Sequence, residues 1–220
     1  MNKLNQLILS FDFEQNFRNL DFYVSKSNVH VFNLIYDWSK NKKKFLNIAG
    51  EKFSGKSHLI NIFLEKNKGL KINSKNLNEK FLKETKFYQN IILEDLTTSI
   101  DEKLFYTLIN IVDSENKHLV TTSEIPIMKM NFTLSDLHSR SKIFFLTRIE
   151  SPDDDLIFAL ILKNLSDRQI SIDKKLIDYI IKRIDRSYSN ISDFIYKIDQ
   201  ISLKKKRSID FKIIKEALGD

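Results

Sequence analysis

Short apolar runs alternate with stretches of helical spacing through the first two thirds of this chain. Phe45 to Ala49 is a short apolar run suited to a buried strand, and His58 to Leu64 follows with helical periodicity. Leu70 to Asn73 predicts a second strand, Leu77 to Glu84 a helix, and Tyr88 to Leu93 a further buried strand. Asp101 to Ser114 then places Leu104, Phe105, Leu108, Ile109 and Val112 on one helical stripe. His118 to Ser123 predicts another strand. Thr133 and Asp136 form a capping-box pattern ahead of Leu137, and Lys142 to Leu146 closes the series as a strand. Such alternation implies an α/β fold, a mostly parallel sheet with helices on both faces.

From Pro152 the pattern changes. Helical segments start at Asp153, Asp173, Ser189 and Ser208 with no strand between them, which predicts a four-helix appendage. Ser151-Pro152 is the natural boundary, because proline disfavours helix before it and suits the first turn after it. Upstream, Val29 to Trp38 is amphipathic, with Ser27 or Asn28 as its cap. The first residues alternate as Gln6-Leu7-Ile8-Leu9-Ser10-Phe11 between Asn- and Asp-rich flanks, which predicts an extended tail. The expected organisation is a leader over 1–15, a nucleotide-binding α/β domain over 16–150 and a helical lid over 151–220.

The most specific chemistry lies just after the first strand. Gly50-Glu51-Lys52-Phe53-Ser54-Gly55-Lys56-Ser57 is a complete G-x-x-x-x-G-K-[ST] phosphate loop, followed by His58 at the start of the helix. Backbone N–H groups of such a loop curl around a phosphate, so its glycines stand where a Cβ would block the turn or the approach. Lys56 supplies positive charge, and the Ser57 hydroxyl can sit on Mg²⁺. Two of only four glycines in the chain are spent on this octapeptide. The strand from Tyr88 ends at Glu94-Asp95, acids at the functional edge of a parallel sheet.

Composition adds mainly exclusions. The 220 residues contain no cysteine, so disulfides, thiolate metal sites and cysteine nucleophiles are absent, and a reducing cytoplasm suits the chain. The four histidines are scattered without ligand spacing. No apolar run is long enough to cross a membrane and the start lacks a signal-peptide core, so a soluble cytoplasmic protein is expected, with no membrane partner. The net charge of +7 is spread over several lysine clusters, which permits phosphate affinity without indicating sequence-specific DNA reading.

Together these features resemble the AAA+ ATPases, and among them the DnaA branch. Phe22-Tyr23-Val24-Ser25-Lys26-Ser27-Asn28 is similar to the adenine-side segment of that branch, which assigns Tyr23, Val24 and Asn28 to the nucleotide. Val120-Thr121-Thr122-Ser123-Glu124 resembles the first sensor, pointing to Ser123, and Asp136-Leu137-His138-Ser139-Arg140 resembles the arginine-finger box. The resemblance runs from about residue 20 onward. No further DNA-binding helix-turn-helix is expected after the lid, which separates the chain from the initiator and aligns it with the short DnaA-homologous regulators of the Hda type. Those regulators carry an N-terminal sliding-clamp peptide, and Gln6, Leu7, Leu9 and Phe11 stand at the corresponding place.

The resemblance implies bound ADP or ATP with Mg²⁺, a DNA sliding clamp and DnaA as partners, room for self-assembly, and Arg140 as a finger acting on a neighbour's nucleotide. It would make the chain an adaptor that promotes hydrolysis of DnaA-bound ATP and limits re-initiation of replication. Two departures bear on its own turnover. The family order is Asp then Glu, whereas here Glu94 precedes Asp95. If Glu94 takes the metal role, Asp95 is a shorter base; if Asp95 holds the metal, Leu96 stands at the base position. Ser192 stands where the second sensor usually has an arginine, with Arg183 and Arg186 as the nearest substitutes. A loader-type ATPase and an interaction module merely stabilised by nucleotide are the alternative readings.

Overall fold

In a computed structural model, residues 22–40 and 42–219 are described. The leader peptide with Gln6, Leu7, Leu9 and Phe11 lies outside them. Five strands, β1 (Phe45–Ala49), β2 (Gly69–Asn73), β3 (Asn90–Leu96), β4 (His118–Ser123) and β5 (Phe145–Arg148), form one sheet in the order β2-β3-β4-β1-β5. Every pairing is parallel, with Leu46 opposite Val120 and Phe145, and Ile91 opposite Leu119. The interior strand β1 is buried at all five positions, as its largely apolar run requires when helices cover both faces.

One face is covered by α3 (Glu79–Glu84), α4 (Glu102–Ser114) and α5 (Ser135–Ser141), with Phe105, Leu108, Leu119 and Leu137 in a common cluster. The other face is covered by α1 (Val29–Tyr36) and α2 (Lys56–Lys66), where Trp38, Leu46, Ile60 and Phe63 pack together. Helices α6 (Asp154–Asp167), α7 (Lys174–Ile181), α8 (Tyr188–Lys205) and α9 (Phe211–Leu218) enclose a separate, isoleucine-rich cluster. Leu156 and Tyr188, from α6 and α8, join the cluster of the α1/α2 face and seat the helical lobe on the sheet domain. Of the described helices, none is long and apolar enough to cross a membrane.

Several local expectations shift. Thr133 does not cap α5: its N–H and hydroxyl both donate to the Glu102 carboxylate at 2.9 Å, and Leu134 takes the cap position without a side-chain bond. Lys142 and Ile143 still close the α5 turn, donating to the carbonyls of Ser139 and Arg140, so β5 starts only at Phe145. Helix α8 is capped by Ser187 rather than Ser189, and α9 by Asp210 rather than Ser208. Asn28 precedes α1 but does not cap it. Its amide bridges the entry loop instead, accepting from the Ser25 N–H at 2.9 Å and donating to the Tyr23 carbonyl at 3.0 Å.

Candidate functional site

The carboxyl ends of β1, β3 and β4 converge on a cleft of about 820 Å³, roofed by α6 and α8. That volume suits a small organic ligand. Its floor is the phosphate loop. Gly55 adopts φ +90° at the entrance to α2, a conformation that penalises any Cβ. A Cβ on Gly50 would sit 2.9 Å from the Ser54 hydroxyl and 3.2 Å from Ile149, so the first glycine is fixed by crowding. Phe53, also at positive φ (65°), projects its ring outward, 48% exposed. The loop leads into the N-terminus of α2, where helix polarity favours an anion.

Lys56 is buried and folded back on the loop, its ammonium donating to the carbonyls of Gly50 (2.7 Å) and Glu51 (2.8 Å). Burial pushes its pKa down, opposed by the negative charges of Glu124, Asp95 and Glu51. Ser54 Oγ is buried without a partner among the described residues. A cradle that excludes Cβ atoms, a buried cation and an unsatisfied hydroxyl fit a phosphate ester. Lys52, Phe53, Ser54, Gly55, Lys56, Ser57 and His58 all line the cleft. His58 meets Phe22 edge-on at 5.2 Å between ring centres.

The two acids separate. A register shift between Leu93 and Leu96 leaves Glu94 and Asp95 together against Thr122, and Asp95 takes φ +53°. Asp95 consequently faces the cleft. Its N–H donates to Thr122 Oγ1 at 3.0 Å and its carboxylate accepts from the Asn73 amide at 2.8 Å. Glu94 is turned away from the cleft, one carboxylate oxygen 3.2 Å from the Lys71 ammonium. Of the three residues expected to hold Mg²⁺, Ser57 and Asp95 line the cleft and Glu94 does not, so Ser57 and Asp95 are the pair that could hold the ion, with phosphate oxygens and water completing its shell. Among the described residues no cluster of three or more His, Cys, Asp or Glu could hold a metal by itself. The residue after Asp95 is Leu96, which also lines the cleft.

Other assignments change as well. Ser123 is buried and off the cleft wall, accepting a hydrogen bond from the Asn47 amide at 2.9 Å; Glu124, the next residue, is on the wall. Tyr23 and Asn28 line the cleft, joined by Phe22, while Val24 does not. Glu51 is also off the wall, its carboxylate directed into the helical lobe. That lobe supplies Leu156, Ala159 and Leu160 from α6, and Tyr188, Ile191 and Ser192 from α8, an apolar wall suited to a flat ring. Burial pushes the Tyr188 phenol up to about 12, and its hydroxyl donates to the Glu150 carbonyl at 3.1 Å.

Among the described residues no arginine lines the cleft. Ser192 does face it, but neither Arg183 nor Arg186 compensates. Arg186 lies 2.7 Å from Asp154, and Arg183 stacks over Tyr179 at 3.7 Å. Arg140, on α5, is likewise remote from its own cleft and half-buried, its guanidinium 3.2 Å from Asp113 of α4. Lys44 shares that carboxylate, and its hydrogen bond, ahead of Arg140's, holds Asp113 below the usual range. Asn73 and Lys163 enter the cleft with no motif in the sequence to flag them; only the position of Asn73 at the end of β2 is a signal.

With this geometry in hand, similarity to known proteins is informative. No family model matches the chain. It is 25% identical over 235 residues to the chromosomal replication initiator protein DnaA of Buchnera aphidicola subsp. Baizongia pistaciae, covering 94% of this chain and 51% of that one. The chain thus spans about half the length of that relative. Domain III of Thermotoga maritima DnaA superposes with a TM-score of 0.76 at 17% identity, covering 93% of this chain and 96% of the domain. The AMPPCP-bound DnaA of Aquifex aeolicus superposes at 0.62, also at 17% identity, over 83% of this chain and 65% of that one.

Proposed function

Given a chain homologous to the AAA+ domain of DnaA, we propose that it is an Hda-like adaptor, which holds an adenine nucleotide with Mg²⁺ and promotes hydrolysis of ATP bound by DnaA. The observation that carries this reading is the division of the basic groups. The cleft has a phosphate loop with buried Lys56 yet, among the described residues, no arginine, while Arg140 stands outside it on α5. A guanidinium so placed is useless to its own nucleotide and is available to a neighbouring subunit's γ-phosphate once it leaves Asp113.

In this reading the chain's own groups divide the work. The loop N–H groups and Lys56 bind the phosphates, and Ser57 and Asp95 hold the cation. Phe22, Tyr23 and the lid wall bury the base and exclude water. Mg²⁺, when bound, screens phosphate charge and polarises the terminal phosphoryl group. Leu96 after Asp95 supplies no carboxylate to orient water, so slow intrinsic turnover follows. The peptide around Gln6, Leu7, Leu9 and Phe11 would tether the protein to a DNA sliding clamp in the cytoplasm, raising its local concentration near DnaA.

The test is hydrolysis of DnaA-bound ATP with and without clamp-loaded DNA, comparing wild type with Arg140→Ala. Stimulation should fall by about 10³-fold or more, the scale of an arginine finger, with ADP binding unchanged. Undiminished stimulation by Arg140→Ala would refute the finger role. No stimulation by the wild type would favour the nucleotide-stabilised interaction module, which the Arg140–Asp113 ion pair also suits.

A further inference from the structure

The four helices of the lobe begin in two different ways. Helices α6, α7 and α9 each carry their own acid at the cap, Asp153, Asp173 and Asp210, accepting from the N–H groups of Leu156, Lys175 and Ile213. Helix α8 carries only Ser187 there. Its acid comes from the other lobe, from the second residue of the phosphate loop. The Glu51 carboxylate accepts from the N–H groups of Tyr188 and Ser189, both at 3.0 Å, and from the Ser187 hydroxyl. A helix leaves its first N–H groups unpaired and its N-terminus favours negative charge, so one carboxylate meets both needs of α8.

We propose that Glu51 is a positioning residue that latches the helical lobe over the phosphate loop and so sets how long a bound nucleotide is retained. This rests on the nucleotide-binding reading above. Glu51 has two contacts that matter. Its carbonyl accepts from the Lys56 ammonium at 2.8 Å, while its side chain holds the start of α8. From that start the same helix presents Tyr188, Ile191, Ser192 and Ile195 to the cleft. A phosphate that draws Lys56 off the loop carbonyls thereby acts, through a single residue, on the wall that encloses the base. The Glu51 carboxylate at the start of α8 is thus a charged link between the loop and the lobe.

Two further contacts join the lobes without the Glu51 carboxylate. The Ser27 N–H donates to Asp153 at 3.1 Å and the Tyr188 hydroxyl donates to the Glu150 carbonyl. Neither uses the Glu51 carboxylate, so loss of Glu51 should loosen the first turn of α8 while the lobe stays folded and attached.

The experiment compares wild type, Glu51→Gln and Glu51→Ala in two measurements. In nucleotide-free protein, hydrogen exchange at the amides of Tyr188 and Ser189 should speed up in Glu51→Ala, with the sheet amides unchanged. With a fluorescent N-methylanthraniloyl-ADP probe, release should accelerate by about 5- to 100-fold in Glu51→Ala and less in Glu51→Gln, which keeps one acceptor oxygen, while association is unchanged. Unaltered amide exchange and release in Glu51→Ala would overturn the latch. Absence of probe binding by the wild type would overturn the nucleotide reading, and the retention role with it, whereas unaltered amide exchange alone overturns the coupling of loop to lobe. If Glu51→Ala fails to fold, Glu51→Gln decides by the same two measurements.

Discussion

The sheet lobe and the helical lobe solve the problem of a stable core in opposite ways. In the first, strands distant in sequence lie side by side, as β1 does with β4 and β5, and the ends of those strands make the cradle. In the second, helices pack on near neighbours in sequence around isoleucines, with α7 and α9 only eight residues long. Helices so short are marginal alone and depend on the cluster they share. The phosphate chemistry therefore sits where the chain is most constrained, and the enclosing wall where repositioning costs least.

The largest effect that could break this contrast comes from the cores. Phe105→Ala, in the sheet lobe, and Ile198→Ala, in the helical lobe, remove fully buried side chains and should cost about 3–5 and about 2–5 kcal/mol. Trp38, the single tryptophan, is buried on the sheet lobe and reports chiefly on it, whereas circular dichroism reports on both. Ile198→Ala should shift the dichroism transition and leave the Trp38 fluorescence transition nearly in place. Coincident shifts would mean that the lobes unfold as one unit.

Next in size is Lys56→Ala, which removes the buried cation of the cradle. ADP affinity in calorimetry should fall by roughly 10- to 100-fold, the worth of a hydrogen bond to a charged group. Equal affinity would move the phosphate chemistry out of the sheet lobe. Ser192→Arg is the reciprocal change, placing on the cleft wall of the lobe a guanidinium that none of its described residues supplies. It should tighten ADP by about tenfold, and a loss of affinity would show that the wall leaves no room for the longer side chain.

The smallest effect is a pH dependence. Burial pushes the Glu51 carboxyl up, but hydrogen bonds from Ser187, Ser189 and Tyr188 outweigh it and hold the pKa below the ordinary 4.5. A group whose pKa is lowered by folding contributes stability above its unfolded value and loses that contribution as pH falls through its folded value. The latch should be intact at neutral pH and open only in acid, so the Tyr188 and Ser189 amide resonances should titrate with a midpoint below 4.5. A midpoint above that value would contradict the network.

Local patterns predict elements well where burial is uniform. The apolar run Phe45 to Ala49 became a fully buried interior strand, and the Phe105, Leu108, Ile109 and Val112 stripe became the buried face of α4. Boundaries were less legible, because competition between contacts decides them. Thr133 has the composition of a cap, yet Glu102, on another helix, captures both of its donors.

What the sequence determined by itself is the phosphate cradle, the alternation that builds a parallel sheet, and the absence of arginine at Ser192. Each depends on residue type at fixed local spacing: glycine where a Cβ would clash or φ is positive, lysine at the helix start, apolar runs for buried strands. Only the tertiary structure decided which acid serves the cleft and what Glu51 holds. The bulge between Leu93 and Leu96 turns Asp95 inward and leaves Glu94 with Lys71, a choice of face set by the register against β4. The partners of Glu51 lie 136 to 138 residues away. No local pattern encodes such a contact, because it exists only once the helical lobe has packed against the sheet.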